Sequence, residues 1–210
     1  MASSPDSLLT RYFGVYRMED NGTVIQVVVM SNVFQGAGKL DFMYDLKGTT
    51  EDRYVEPAAS ACLKDLNHDG MSVYCDDENA ATLHRVVTAD TKFLESRTIM
   101  DYSMMLAVSY GTPGPKTEQY SRLMGGLPGK EGKGVLDAGL KDCTFFVGMV
   151  DMLVTYSWKK QAAHTIKSMT IGLTDTIDTV PPDAYAKRFR QCFSKKFRGF
   201  SEQPKVTEVP

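Results

Sequence analysis

Two β-rich runs, Tyr12–Met18 and Thr23–Met30, are separated by Glu19-Asp20-Asn21-Gly22. Asn-Gly between such runs is a strong hairpin signal, because both residues accept the positive φ of a type I′ turn. The chain therefore opens in antiparallel β-structure. Beyond the second run, Ser31-Asn32-Val33-Phe34 leaves the strand, and Gln35-Gly36-Ala37-Gly38 reads as a flexible connection. A short extended piece, Lys39–Asp45, leads into Leu46-Lys47-Gly48.

Further along, Glu78–Arg97 reads as a helix with Leu83, Val86, Val87, Phe93 and Leu94 for its apolar face. Tyr102–Tyr110 and Thr144–Leu153 read as buried strands, and the Gly-, Pro- and Lys-rich stretch Gly111–Gly139 between them reads as a long loop. Helical signals return over Ser157–Met169. After Pro181-Pro182, Tyr185, Phe189, Cys192, Phe193 and Phe197 recur at helical spacing, with Gly199 as the expected stop. Residues 1–200 form the expected core and 201–210 a tail.

The 210 residues suit one domain with a real core. No apolar run approaches the length of a membrane span, and no signal-peptide pattern opens the chain. Four scattered cysteines without a CxxC pair fit idle thiols in a reducing compartment, so the expected location is cytoplasmic. Charge is distributed unevenly. Tyr156–Phe200 holds nine basic and three acidic residues, a balance of +6, so the rest of this chain of net charge −2 carries −8. A basic end of that kind serves either as a solvated helix face or as a contact for an anionic surface.

Two motifs are near misses. Asp65-Leu-Asn67-His-Asp69-Gly70, with Asp76 at the twelfth position, nearly fits a calcium loop. It ends in Asp instead of Glu, has Ser72 where an apolar residue belongs, and has no companion loop; a polar turn is the plainer reading. Gly125-Gly-Leu-Pro-Gly129-Lys130 is one residue short of a phosphate loop, and Glu131 stands where Ser or Thr is required.

Phosphoryl transfer needs a carboxylate to orient the attacking hydroxyl, carboxylates for Mg²⁺, and cations on the phosphates. Asp45, Asp101 and Asp151 each end an apolar or extended segment, a costly placement for an acid unless it is paired or binds metal. Three such acids, with Lys47 two residues from the first, point to a metal-phosphate site.

On these blocks the chain resembles the phosphatidylinositol phosphate kinases. Tyr44-Asp-Leu-Lys-Gly-Thr-Thr-Glu-Asp-Arg53 resembles their DLKGS segment, and Asp90-Thr-Lys-Phe-Leu94 with Ile99-Met-Asp-Tyr-Ser-Met-Met105 their DxxFL…IMDYSLL stretch. Phe145–Leu153 is similar to GIIDIL, Met30–Phe34 to the hinge, and Lys159–Lys167 followed by Tyr185–Phe189 to the specificity loop and its helix. The blocks keep the family's order over most of residues 8–200. Thr49 departs from Ser but keeps a hydroxyl, and Met104 and Met105 replace two leucines of similar volume.

The resemblance implies an α+β catalytic domain, an antiparallel sheet with flanking helices. It implies ATP- and Mg-dependent transfer of phosphate to the inositol ring of a phosphatidylinositol monophosphate, making the bisphosphate. In the roles it implies, Asp101 orients or deprotonates the inositol hydroxyl, Lys47 neutralises the moving phosphate, and Asp151 holds Mg²⁺. Asn32 and Val33 meet the adenine edge, while Asp45 and Arg53 support the site. Lys159, Lys160, His164 and Lys167 meet the headgroup and the anionic membrane. Ala163 stands where kinases of the 5-phosphate have Ala and kinases of the 4-phosphate have Glu. The expected location is cytoplasmic and peripheral at the membrane's cytoplasmic face, with no nucleic-acid partner; a homodimer is among the assemblies the resemblance admits. The family places a Gly-rich loop, a strand lysine and a supporting helix before the equivalent of Leu8–Tyr16. The expectation is that this chain begins after them, with the N-terminal lobe largely missing, so the alternative function is a phosphoinositide-binding module without transfer.

Overall fold

The computed structural model describes residues 5–58, 60–111, 121–133, 140–156 and 180–203. The expected hairpin is present: β1 (Tyr12–Asp20) pairs antiparallel with β2 (Thr23–Met30), and Asn21 and Gly22 take φ of 48° and 81°. Just before it, Leu8–Thr10 runs beside the main sheet, where the Met149 amide donates to the Leu8 carbonyl and the Thr10 amide to the Met149 carbonyl.

Among the described residues six strands make the main sheet. In chain order they are β3 (Phe42–Leu46), β4 (Met71–Cys75), β6 (Ser103–Ser109), β7 (Leu127–Lys133), β8 (Lys141–Val150) and β10 (Phe197–Gly199). Their spatial order is β10-β4-β7-β8-β6-β3, antiparallel throughout except for the parallel β10–β4 pair. A small ladder joins β5 (Ile99–Met100) to β9 (Val154–Thr155). The mixed α+β architecture expected from the sequence is therefore present.

Two described helices complete the layer. Asp76 caps α1 (Asp77–Ser96), its carboxylate accepting from the amides of Glu78 and Asn79, and Ala80, Leu83, Val86, Val87 and Leu94 form its buried stripe. Helix α2 (Pro182–Lys196) starts on a proline whose missing N–H would be unsatisfied there anyway, and it buries Tyr185, Ala186, Phe189 and Phe193. Tyr102 meets both Tyr185 and Phe189, and the stack runs on from Phe189 to Phe193, Phe197 and Phe145, with centroids 4.5–5.9 Å apart along these contacts.

Two expectations need correction. Gly111–Gly139 is not one long loop, because its described part contains a 3₁₀ turn (Arg122–Met124) and β7 at the centre of the sheet. Poor local β-propensity is overridden by pairing on both sides. Gly129 fits because a Cβ there would stand 2.7 Å from the Tyr74 carbonyl oxygen and 2.9 Å from the Phe145 ring. Pro128 lies one residue outside the β4 pairing, so its missing N–H interrupts no β4–β7 bond. The final helix also stops earlier than expected. Phe197–Gly199 leaves α2 to become β10, and Gly199 is small because a Cβ would collide with Asp77 Oδ1. Ser201, past the expected core boundary, still donates to Asp77. The helical reading over Ser157–Met169 lies outside the described residues.

No helix among the described residues is long and apolar enough to cross a membrane. For Gly129→Ala the expected loss is about 2–3 kcal/mol, the usual cost of overpacking a closed core, read from a lower urea midpoint at unchanged slope.

Candidate active site

The register of three adjacent strands brings the sequence-predicted acids to one sheet edge. Leu46 at the end of β3 pairs with Met104, and Ser103 at the start of β6 pairs with Val150 at the end of β8. Lys47 and Asp151 are therefore the residues just beyond the neighbouring ends of β3 and β8, and Asp101 stands two residues before β6, directly after β5. The β5–β9 ladder closes the arrangement from outside. Asp101-Tyr102 and Asp151-Met152-Leu153 are breaks between paired segments on facing strands.

Both aspartates sit in the left-handed region, with φ of 63° at Asp101 and 62° at Asp151. L-residues rarely adopt it, and Asp tolerates it better than most because its short polar side chain bonds locally. Such strain, of order 1–3 kcal/mol, persists only where surrounding structure imposes it and gathers at functional sites. Two flanking ladders impose it here.

Lys47 Nζ lies 2.5 Å from Asp101 Oδ1, both side chains being mostly buried. The Lys47 turn is held by Asp65. One carboxylate oxygen accepts from the Gly48 amide at 2.8 Å and both lie 3.1 Å from the Lys47 amide, while Arg53 Nε donates to Oδ2 at 2.8 Å. Arg53 also reaches back to the carbonyl and carboxylate of Asp45. Gly48, at φ 75°, lets α2 close over the turn, since a Cβ there would stand 3.1 Å from Cys192 Cβ. From the same helix Tyr185 Oη donates to the Tyr102 carbonyl, the residue after Asp101.

Asp151 remains open to solvent on one side. Its carboxyl is nevertheless pushed above the ordinary carboxylate range, first by partial burial, then by the charge of Asp45; Lys47 acts against this and Asp101 with it. Among the described residues Asp151 makes no ion pair, and no group of three or more His, Cys, Asp or Glu stands close enough to hold a metal ion. Mg²⁺ commonly takes only one or two carboxylates and completes its octahedron with water and phosphate oxygens. A strained, unpaired Asp151 under repulsion from two acids fits one such ligand.

The other sequence-predicted residues fall elsewhere. Val33 is buried against Gly148, three residues before Asp151, where a Cβ would come within 2.8 Å of its side chain. Asn32 is exposed and its Oδ1 accepts from the Phe34 amide at 2.9 Å. Lys159, Lys160, Ala163, His164 and Lys167 lie outside the described residues.

Sequence reasoning missed Asp65, seen only as the first position of a near-calcium loop. The plainer reading, a polar turn, is what the structure has: Asp65 faces inward on a 3₁₀ turn (Asp65–His68), Met71–Cys75 is a strand, and Asp76 caps α1. Nothing local marks Asp65, because its partners lie 12 to 18 residues away. Asp90 was legible only as a motif letter. It is buried on α1 and accepts from the Leu8 amide at 2.8 Å and the Ser7 hydroxyl at 3.0 Å, tying the segment beside β8 to the helix.

Asp65→Ala takes from a buried guanidinium the nearer of its two carboxylates and from the Lys47 and Gly48 amides their acceptor, so the expected destabilisation is about 3–5 kcal/mol by denaturant unfolding. Asp65→Asn loses less, and added Ca²⁺ leaves the wild-type melting temperature unchanged. A second expectation concerns Asp151. A carboxyl whose folded pKa is raised favours the fold fully below its unfolded value near 3.8 and weakens it as pH rises through the folded value. Asp151→Asn therefore melts at higher temperature than wild type at pH 7, and the gain shrinks as pH falls toward 4.

A family model described as phosphatidylinositol-4-phosphate 5-kinase matches residues 1–132 and 129–196. Phosphatidylinositol 4-phosphate 5-kinase type-1 beta of Gallus gallus is 29% identical over 235 residues, covering 89% of this chain and 42% of that protein. The human phosphatidylinositol 4-phosphate 5-kinase-like protein 1 is 29% identical over 216 residues, covering 89% of this chain and 53% of its own length. Human phosphatidylinositol 5-phosphate 4-kinase type-2 alpha is 28% identical over 229 residues, covering 87% and 55%. The chain thus spans about half, or less, of these relatives.

Proposed function

The chain belongs to the phosphatidylinositol-4-phosphate 5-kinase family, the phosphatidylinositol phosphate kinases, and on that premise we propose that it transfers the γ-phosphate of ATP to the inositol ring of a phosphatidylinositol monophosphate. The observation that carries this reading is the convergence of Lys47, Asp101 and Asp151 at adjoining strand ends, with both aspartates in strained backbone.

In this reading Asp101 accepts a hydrogen bond from the ring hydroxyl and directs its oxygen at the γ-phosphorus. A new O–P bond forms, the bond from that phosphorus to the β,γ-bridging oxygen breaks, ADP departs, and the hydroxyl proton passes to Asp101. Lys47 holds the Asp101 carboxylate in place and opposes the charge on the phosphate oxygens. Asp151 supplies a carboxylate oxygen to Mg²⁺, which when bound neutralises phosphate charge and orients the triphosphate. Asp45 and Arg53 brace the Lys47 turn. Asn32 and Val33 border the adenine. Asn32 supports that reading only through its backbone, its side chain being engaged in the turn.

Lys159, Lys160, His164 and Lys167 supply attraction for the headgroup and an anionic membrane surface, with each cation near that surface adding on the order of 1 kcal/mol. The named relatives include kinases of both monophosphates. Ala163 supports the 5-phosphate as substrate, since it places no carboxylate beside the neighbouring lysine. The same cations, Lys159, Lys160, His164 and Lys167, support a second reading, a phosphoinositide-binding module without transfer.

One assay separates the two: transfer of labelled phosphate from ATP to vesicles carrying either monophosphate, with vesicle binding measured in parallel. Transfer to the 5-phosphate lipid is expected to be the faster. Asp101→Asn is expected to lower turnover about 10²–10⁴-fold while binding persists. Binding without transfer by the wild type selects the second reading, and undiminished turnover in Asp101→Asn removes Asp101 from its role.

A further inference from the structure

The turn that carries Lys47 has a second face. A cavity of about 500 Å³ lies between Gly48-Thr49-Thr50, the Asp69–Ser72 segment and α2, and its wall includes neither Lys47 nor Asp101. Three cations from α2 line it: Arg188, Lys195 and Lys196. Among the described residues none of the three forms an ion pair.

Arg188 is the telling member. Its Nε and Nη2 are closed to solvent and make no hydrogen bond. Those two nitrogens form the side-on edge of the guanidinium, the edge that meets a carboxylate or phosphate with two parallel bonds. The guanidinium lies over the Tyr185 ring, Cζ 5.0 Å from its centroid, and its closed fork meets an acceptor in the cavity only by turning outward; an unsatisfied buried donor costs about 1–3 kcal/mol, and more when charged, which favours that turn. Lys196 lines the same cavity. Its ammonium donates to the backbone carbonyls of His68 and Met71, and burial holds its pKa below the ordinary lysine value. The two acids on the wall do not cancel this charge. Asp65 is taken by Arg53 and the Lys47 and Gly48 amides, which leaves Asp69 alone against three cations.

We propose that this cavity is a second anion site, distinct from the transfer site, that takes a phosphate monoester carried on a small polyol. Phosphate matches the cation count and offers three acceptor oxygens, and the Thr49 and Thr50 hydroxyls stand on the wall for the polyol. The volume is that of a small-molecule site and exceeds what a bare phosphate fills. Gly70, at φ 70° with open space where a Cβ would be, leaves the backbone on that wall uncovered. The ligand would border Gly48, one residue from Lys47, so its occupancy would be felt at the transfer site without sharing its residues. A soluble inositol phosphate and a phosphoinositide headgroup present the same chemistry.

Calorimetric titration of the chain with myo-inositol monophosphate, and separately with phosphatidylcholine vesicles carrying a phosphatidylinositol monophosphate, tests the site. The variants are Lys195→Ala and Gln191→Glu, both at exposed α2 positions on the cavity wall, and Lys159→Ala/Lys160→Ala, which removes cations assigned above to the headgroup at the transfer site, serves as the control. Each α2 variant is expected to weaken the soluble probe about tenfold, Lys195→Ala by losing a charge-assisted contact and Gln191→Glu by adding a repelling carboxylate, while Lys159→Ala/Lys160→Ala leaves it unchanged. Ligand-induced amide shifts in the wild type are expected at Gly48 and Gly70. Soluble binding assigns the site to free anions; binding to vesicles alone, weakened by the α2 variants, assigns it to the lipid headgroup. Binding that Lys159→Ala/Lys160→Ala weakens and the α2 variants do not, or no binding of either probe, overturns the proposal.

Discussion

One carboxylate organises the candidate catalytic edge. Asp65 accepts from the Lys47 amide, the Gly48 amide and Arg53, and Arg53 in turn holds Asp45. A buried carboxylate is tolerable only when several donors face it, and here each donor belongs to the turn that must be rigid. The Lys47 ammonium can meet Asp101 at 2.5 Å because its backbone is already fixed from behind. The same contact gives the loop from Thr49 to Lys64 a return anchor, through which a surface excursion is tied to the sheet edge.

The candidate catalytic edge is built against local preference. Asp101 and Asp151 adopt left-handed backbone between paired segments, and Asp151 keeps a raised pKa in company with Asp45 and Asp101. These features destabilise the fold and are sustained by what surrounds them: the β6–β8 ladder, the β5–β9 ladder and the aromatic stack that begins at Tyr102. Energy held in this way is what a site gives up for preorganised charge, since groups already in place need no reorganisation when phosphate arrives.

Helix α2 connects the two faces of the Lys47 turn. Its Tyr185 hydroxyl holds the Tyr102 carbonyl beside Asp101, while its Arg188, Lys195 and Lys196 line the cavity behind Gly48. The apolar stripe of the helix is continuous with the sheet core through Phe189, Phe193 and Phe197. The cations occupy the other stripe because helical periodicity separates the faces.

What the sequence determined by itself is whatever depends on near neighbours. The Asn21-Gly22 hairpin, the body of α1 and the amphipathic stripe of α2 follow from φ preferences, capping and 3.6-residue periodicity, all set within a few positions. The acids Asp45, Asp101 and Asp151 were legible because a charge between bulky apolar residues is locally anomalous. Tertiary structure alone decided the rest. Gly- and Pro-rich β7 is a strand only because β4 and β8 pair with it from both sides, and Phe197–Gly199 changes from helix to strand where β4 offers a free edge. Asp65 became the anchor of the Lys47 turn, not a calcium ligand, because donors 12 to 18 residues away converge on it. Hydrogen bonding and packing act through space, so a partner that distant leaves no periodicity or spacing in the chain by which it could be read.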